Sequence, residues 1–183
     1  MTICKFSITP ERPEHKPEIE SLLDAVFGLS RQVKTSYRLR EAETPIDGLS
    51  FVAIEPGRGV VGAISFWRVF IGENGFPALL LGPLAVAPDR QGAGIGHALM
   101  KLGLDGAAAL KAKLVILVGD EPYYGRVGFR KVPEAQLILP GPVDPSRLLY
   151  LELEEGALAH AKGLVLPPHR FKRVISSGPR GTT

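Results

Sequence analysis

The chain has 183 residues, of which 45% are hydrophobic and 22% charged, a balance that predicts one folded domain and excludes a disordered chain. A net charge of +3 with scattered basic residues argues against a nucleic-acid-binding protein. The single cysteine, Cys4, excludes an intrachain disulfide and is expected to be a buried strand residue. No metal-ligand spacing, bilayer-length apolar run or signal-peptide pattern is present, so we expect a metal-free cytoplasmic protein without membrane contact.

The first half of the chain predicts a strand, two helices and three further strands. Residues 3–8 alternate between apolar and polar side chains, as a strand does. Residues 13–27 have apolar side chains at helical spacing, and the polar residues 31–41 predict a surface helix. The three further strands are predicted at residues 49–55, 60–70 and 76–87. Gly82-Pro83 interrupts the last of them. Because proline cannot donate to a ladder, we expect the pairing to break or bulge there.

The second half begins with the most strongly periodic helix of the chain. Its expected apolar face consists of Ile95, Ala98, Leu99, Leu102, Gly106, Ala109 and Leu110. An inner strand at 114–118, a short helix from Pro122 to Gly128, and strands at 137–139 and 148–153 follow. This order predicts an α/β fold with a mixed sheet flanked by helices. We expect a single domain over residues 1–175 and a flexible tail over 176–183.

The most informative segment joins the strand at 76–87 to that helix. Gly92, Gly94 and Gly96 lack side chains, so a ligand can approach the backbone there. The first N–H groups of the helix have no intrahelical partner, and their partial positive charge favours an anion by about 0.3–1 kcal/mol. Arg90 adds a formal positive charge. A phosphate or diphosphate is the natural ligand of such a loop.

Other interpretations of this loop are a plain turn and a dinucleotide-binding fold. Glycine is common in turns of every kind. Asp120, at the end of the next strand, suits a ribose-binding acid, but His97 replaces the third small residue, and residues 87–91 separate the strand from the first glycine. A nucleotide P-loop is excluded because no Gly-Lys-Ser/Thr follows.

Residues 90–96, RQGAGIG, resemble the signature loop of the GNAT family of N-acetyltransferases, with Gln91, Gly94 and Gly96 in the specified places. A second segment, YYGRVGF at 123–129, resembles the family's aromatic-Tyr…Gly-Phe motif. The stretch 49–171 is similar to the bacterial YhbS-like branch, sharing LGPLAV, VGDEPYYGRVGF, LELEEGAL and PPHRF. The likeness is weakest over residues 28–48, where this family usually contacts its substrate.

The resemblance implies a three-layer α/β/α fold, with a central mixed, mostly antiparallel sheet splayed at the cofactor strand. It also implies acetyl-coenzyme A as co-substrate and direct attack by an amine in a ternary complex. The implied cofactor-binding residues are Leu84, Ala85, Val86, Arg90, Gln91, Gly92, Ala93, Gly94, Ile95, Gly96, Asp120 and Tyr124. For Asp120, capping of the short helix is the alternative role.

Two of these positions carry the implied catalytic roles. The N–H of Val86 matches the group that polarises the thioester carbonyl, and Tyr124 matches the general acid that protonates the thiolate. The alternative for Tyr124 is packing under the sheet, the role we expect of Tyr123. No acid occurs in residues 78–87 to act as general base. Glu55 and Glu73 are expected to be solvated surface residues.

Several other residues have no decided role in the sequence. His97 is expected on the helix surface, and the aromatic residues of the strand at 60–70 belong either to the core or to an acceptor pocket; these are Phe66, Trp67 and Phe70. The predicted function is an N-acetyltransferase acting on a primary amine of an unidentified small molecule or peptide, as a monomer or homodimer. The alternatives are a non-catalytic acyl-coenzyme A sensor and, third, a nucleotide-dependent oxidoreductase.

Overall fold

A computed structural model describes residues 5–176. Residues 1–4 and 177–183 lie outside the described residues. The prediction of a buried Cys4 lies outside them, and so does the prediction of a flexible tail except for its first residue, Ser176. The α-helices are α1 (Lys16–Phe27), α2 (Thr35–Arg38), α3 (Ile95–Ala109), α4 (Glu121–Tyr124) and α5 (Pro168–Ser176). The strands are β1 (Ser7–Pro10), β2 (Phe51–Glu55), β3 (Gly59–Ile71), β4 (Phe76–Val86), β5 (Leu114–Val118), β6 (Arg130–Lys131), β7 (Leu137–Ile138), β8 (Leu148–Glu152) and β9 (Gly163–Leu166).

The strands form an open, mixed sheet in the order β1-β2-β3-β4-β5-β8-β6. The β1–β2, β2–β3, β5–β8 and β6–β8 pairs are antiparallel, whereas β4 and β5 are parallel. In addition, β9 pairs antiparallel with β3 and parallel with β7. The expected mixed, mostly antiparallel sheet is confirmed.

The chain divides into two compact units, each assembled from three segments. The first unit comprises the chain up to Lys34 together with Pro45–Trp67 and Leu81–Lys111. The second unit comprises Thr35–Thr44, Arg68–Leu80 and the chain from Ala112 onward. Strands β3 and β4 each begin in one unit and end in the other. No helix among residues 5–176 has the length and apolar character needed to cross a membrane.

In the first unit, α3 buries a stripe that differs from the expected apolar face. The buried residues are Ile95, Gly96, Leu99, Met100, Gly103 and Ala107. Leu102 is 40% exposed and Leu110 is 59% exposed, so their assignment to the buried face is wrong. The reason is Gly103, which brings the helix backbone against the Phe66 ring. The close contact between α3 and Phe66 is therefore made at a glycine, whereas large apolar residues were expected there.

The helix expected at 31–41 is replaced by a 3-10 helix at Leu29–Val33 and the four-residue α2. Arg31 explains the break. Its side chain is only 4% exposed and is held by the carboxylates of Glu20 and Asp24, the latter at 2.9 Å from Nε. Because both acids lie on α1, the chain turns back toward α1 at Arg31 instead of continuing as a helix.

In the second unit, β5 is the inner strand that its apolar run predicts. Leu114 to Leu117 are buried, and β5 pairs with β8 along five residues, from Leu114 opposite Glu152 to Val118 opposite Leu148. The closing α5, which the sequence did not predict, places Phe171 in a stack on Phe70 at 4.8 Å between ring centroids. Phe70 is half-buried and packs against α5.

Candidate functional site

The loop between β4 and α3 is built as an open backbone segment. After β4 ends at Val86, Pro88–Arg90 forms a 3-10 turn, and α3 begins after Gly94. Gly92 and Gly94 have φ values of +84° and +85°, in the left-handed region that favours glycine. A Cβ placed at either position would meet no other atom within 4 Å. The surface above both glycines is therefore open to a ligand.

The same loop supplies the donors that an anion needs. Gly94 is the N-cap of α3 and has no side chain to accept a hydrogen bond from the first turn; its carbonyl accepts from Ala98 at 3.0 Å. The amides of Ile95, Gly96 and His97 therefore have no partner inside the helix. Together with the partial positive charge of a 15-residue helix, these donors fit a phosphate or diphosphate.

Arg90 is engaged by carboxylates. Its Nε and Nη2 donate to the two Glu55 oxygens at 2.7 and 2.9 Å, and its Nη1 donates to Asp89 at 3.0 Å. Asp89 in turn accepts two bonds from Arg58, at 2.6 and 2.7 Å, and the Arg58 guanidinium lowers the pKa of Asp89 to about 2. The charge that Arg90 was expected to offer to a phosphate is balanced, and a direct phosphate contact stays a prediction.

Glu55 is not the solvated glutamate that was expected. Its side chain is 19% exposed, and it pairs with Arg90 through both oxygens. Nothing in the sequence marks this pair, because the two residues lie 35 positions apart. Glu73 and His97, in contrast, are exposed as expected.

Burial of the side chains alternates along the end of β4, as in a strand whose two faces have different surroundings. Ala85 is buried, while Leu84 and Val86 are half-buried. The Val86 carbonyl accepts a bond from the Gln91 side-chain amide at 3.4 Å, which ties the glycine loop to the strand. The polarising role of the Val86 N–H stays a prediction, as do the cofactor contacts of Leu84 and Ala85.

A break or bulge in the pairing of β4 was expected at Gly82-Pro83. β4 runs through this pair, whose peptide bond is cis. The register of β4 with β5 covers Leu79 and Leu80 and stops before Gly82, in agreement with the expected break. The Gly82 carbonyl accepts from Trp67 Nε1 at 2.6 Å, so this half-buried indole is bonded to the backbone of the pair. Phe66 is fully buried and belongs to the core.

In the second unit, Tyr124 ends α4 and lies among aromatic rings. Its ring contacts Tyr123 and Phe129 edge-on, with centroids at 5.0 and 5.9 Å. Burial is the main cause that raises the pKa of Tyr124 well above its usual value, with Tyr123 and Asp120 adding to it. The phenol is therefore protonated throughout the physiological pH range and is able to donate its O–H.

Asp120 occupies the N-cap position of α4, but its side chain makes no capping bond. Its carboxylate accepts from Arg147 Nε at 3.1 Å, and its carbonyl accepts from the amides of Tyr123 and Tyr124. The expectation that the Asp120 side chain caps the helix is wrong, because Arg147 draws the carboxylate away. A contact with the cofactor arm stays a prediction.

Comparison with known proteins agrees with this geometry. The acetyltransferase (GNAT) domain family matches residues 47–131. YjhQ of Escherichia coli strain K12, an uncharacterized N-acetyltransferase, is 32% identical over 131 residues, which cover 70% of this chain and 72% of YjhQ. The chain belongs to the GNAT acetyltransferase family.

Two solved GNAT structures are similar over most of their length. The Escherichia coli protein YhbS, in complex with coenzyme A, has a TM-score of 0.77 and 28% identity, and 93% of each chain is covered. A GNAT acetyltransferase from Brucella melitensis, in complex with acetyl-coenzyme A, has a TM-score of 0.56 and 29% identity, with 84% of this chain and 98% of that chain covered. The expected GNAT fold and YhbS-like resemblance are confirmed.

Within the GNAT chain, the functional predictions fall into two groups of residues. The first unit carries the end of β4 and the glycine loop, from Leu84 to Gly96. The second unit carries Asp120 and Tyr124. Sequence reasoning named these positions except residues 87–89, but it missed the ion pairs that Glu55 makes with Arg90 and Arg147 makes with Asp120.

Proposed function

We propose that this GNAT protein transfers an acetyl group from acetyl-coenzyme A to a primary amine of a small molecule or peptide, by direct attack in a ternary complex. The observation that carries the proposal is the open, left-handed Gly92 and Gly94 backbone at the start of α3. A diphosphate is the anion that this donor set suits, and coenzyme A contains one. The coenzyme A and acetyl-coenzyme A complexes of the two similar GNAT structures support the same ligand.

In this proposal, the chain holds the co-substrate mainly through its backbone. The amides of residues 91–96 bind the diphosphate, except that of Ala93, which donates to the Arg90 carbonyl. The β4 backbone at Leu84, Ala85 and Val86 pairs with the pantetheine arm as a neighbouring strand would. Holding thioester and amine in one geometry supplies a large part of the rate enhancement. The Val86 N–H polarises the thioester carbonyl, and one such donor lowers the barrier by about 3 kcal/mol.

Tyr124 donates a hydrogen bond to the departing thiolate. A free thiol has a pKa of about 8.5, so the thiolate needs little help to leave. The raised pKa of Tyr124 makes complete proton transfer to such a thiolate unfavourable at equilibrium. We therefore assign to Tyr124 a hydrogen bond that stabilises the developing negative charge on sulfur, with the proton shared in the transition state.

The acceptor of this proposal is a weakly basic amine. Deprotonating an amine of pKa about 10.4 at pH 7 costs about 4.6 kcal/mol, whereas an amine of pKa about 8 costs about 1.4 kcal/mol. The β4 sequence FPALLLGPLAV contains no acid that could remove this proton, and Glu55 is paired with Arg90. An amine that is partly neutral at pH 7 needs no dedicated base.

Calorimetry with acetyl-coenzyme A, followed by thiol release with a panel of amines, tests this function. We expect saturable binding and amine-dependent release. Tyr124→Phe is expected to lower kcat by about 10²-fold with little change in acetyl-coenzyme A affinity, because it removes only a donor used in the transition state. Tyr123→Phe is the matched control and should keep its activity. Absence of binding to any coenzyme A species would exclude the proposal.

A non-catalytic acyl-coenzyme A sensor is the second candidate, favoured by the lack of an acid on β4. It predicts tight binding with no thiol release from any amine in the panel. The cytoplasmic location and the monomeric or homodimeric state stay predictions.

A further inference from the structure

Four charged side chains connect the start of the glycine loop to the hairpin formed by β2 and β3. In order they are Glu55, Arg90, Asp89 and Arg58, which we call the charge ladder. Glu55 is the last residue of β2, and Arg58 directly precedes β3. Arg90 and Asp89 lie in the 3-10 turn that follows β4. The ladder has equal numbers of positive and negative charges.

The least exposed contact of the charge ladder is the Glu55–Arg90 pair. It is bidentate, and the two side chains are 19% and 28% exposed. Two parallel charge-assisted bonds fix the orientation of a guanidinium as well as its position. The Arg58–Asp89 pair at the other end is more exposed, so solvent weakens it.

The Glu55–Arg90 pair attaches the turn that directly precedes the exposed part of the glycine loop. The Arg90 carbonyl accepts a bond from the Ala93 amide at 3.3 Å, and the Ala87 amide donates to the Val61 carbonyl at 2.8 Å. Residues 87–90 are thus attached to the hairpin by backbone and side chain, whereas residues 91–94 are exposed. The placement of the exposed amides depends on the attached turn that precedes them.

We propose that Glu55 and Arg90 are positioning residues, which hold the glycine loop in the geometry that binds the diphosphate of acetyl-coenzyme A. The inference rests on the proposed function. In this role Arg90 acts through the backbone and not as a free positive charge for the ligand. The two roles predict opposite effects of removing the Glu55 charge: a phosphate-binding Arg90 would bind more tightly, whereas a positioning Arg90 loses its partner and binds more weakly.

The test measures acetyl-coenzyme A affinity by calorimetry, and KM and kcat by thiol release, for the wild type and four variants. Glu55→Gln removes the charge, Glu55→Asp keeps it, and Arg90→Lys keeps the positive charge without the two-point fork. Asp105→Asn is the matched control for charge removal, since this exposed carboxylate pairs only with Lys101 among the described contacts. Melting curves establish that each variant folds.

We expect Glu55→Gln and Arg90→Lys each to weaken acetyl-coenzyme A binding about tenfold, because a small displacement of a binding loop has a large effect. The weaker binding should appear as a higher KM, with kcat at saturation within about twofold of the wild type. Glu55→Asp should recover part of the affinity, and Asp105→Asn should retain all of it.

Unchanged or tighter binding by folded Glu55→Gln would overturn the inference, as would wild-type affinity in Arg90→Lys. Should Glu55→Gln fail to fold, Glu55→Asp and Arg90→Lys decide by the same criterion. A wild-type protein that binds no coenzyme A species would exclude the proposed function itself, a result distinct from any difference among the variants.

Discussion

Tyr124 illustrates how its surroundings change the chemistry of one side chain. Burial beside Tyr123 and Phe129 disfavours the phenolate and raises the pKa of Tyr124 above the usual value of about 10. The folded protein therefore keeps this proton at pH values where the unfolded chain releases it. Stability from this linkage is complete below pH 10 and is lost as the pH rises through the folded-state pKa.

Thermal unfolding above pH 10 tests this environment. We expect the melting temperature of the wild type to fall between pH 10 and pH 11 more steeply than that of Tyr124→Phe, because the phenylalanine has no proton to release. Below pH 9, the difference between the two proteins should not depend on pH. Equal slopes above pH 10 would show that Tyr124 ionises as readily in the folded protein as in the unfolded chain.

At the scale of the element, α3 connects the core of the first unit to the loop. Its N-terminus provides the unpaired amides, and its buried stripe holds it against the sheet. A Cβ on Gly62 of β3 would lie 2.7 Å from Ile95, so the sheet and the first turn of α3 are in close contact. The orientation of the N-terminal end of α3 is therefore determined by packing along the helix.

Alanine substitutions at two leucines of α3 test which face is buried. Leu99 is completely buried, so Leu99→Ala should lower the free energy of unfolding by about 2–5 kcal/mol. Leu102 is 40% exposed, and Leu102→Ala should cost less than about 1 kcal/mol. Denaturant titration measures both values. Equal losses of unfolding free energy would instead show that Leu102 belongs to the buried face, as helical periodicity alone predicts.

At the scale of the whole molecule, β3 and β4 are shared by the two compact units. Each strand begins in one unit and ends in the other, so neither unit contains the whole of either strand. Melting one unit would therefore melt part of both strands. We therefore expect the chain to unfold as one cooperative body, in line with the predicted single domain.

Scanning calorimetry checks this expectation. A single transition should be seen, with the calorimetric enthalpy equal to the van't Hoff enthalpy. Acetyl-coenzyme A at about 100 times its Kd should stabilise the folded protein by about 2.7 kcal/mol, which corresponds to a rise of about 5–10 °C in Tm. Two separate transitions, only one of them shifted by the ligand, would contradict the single-domain prediction.

Local patterns in the sequence were enough to find most elements and the family. The apolar run at 114–118, the periodicity of α1 and α3, and the glycines at 92 and 94 each act within a few residues, through backbone conformation and side-chain spacing. The same holds for the short α4, where Pro122 lies in the first turn and Gly128, at a φ of +100°, ends the segment. Such features depend on residues that are close in the sequence, so they can be recognised without the tertiary structure.

The partners of charged and buried groups were decided only by the tertiary structure. Glu55 meets Arg90 across 35 residues, Asp120 bonds to Arg147 in place of its helix end, and Arg31 bends the chain where a helix was expected. The buried stripe of α3 likewise follows the close approach of Gly103 to Phe66. These contacts join distant segments, and their free energies depend on burial and two-point geometry that exist only once the sheet has formed.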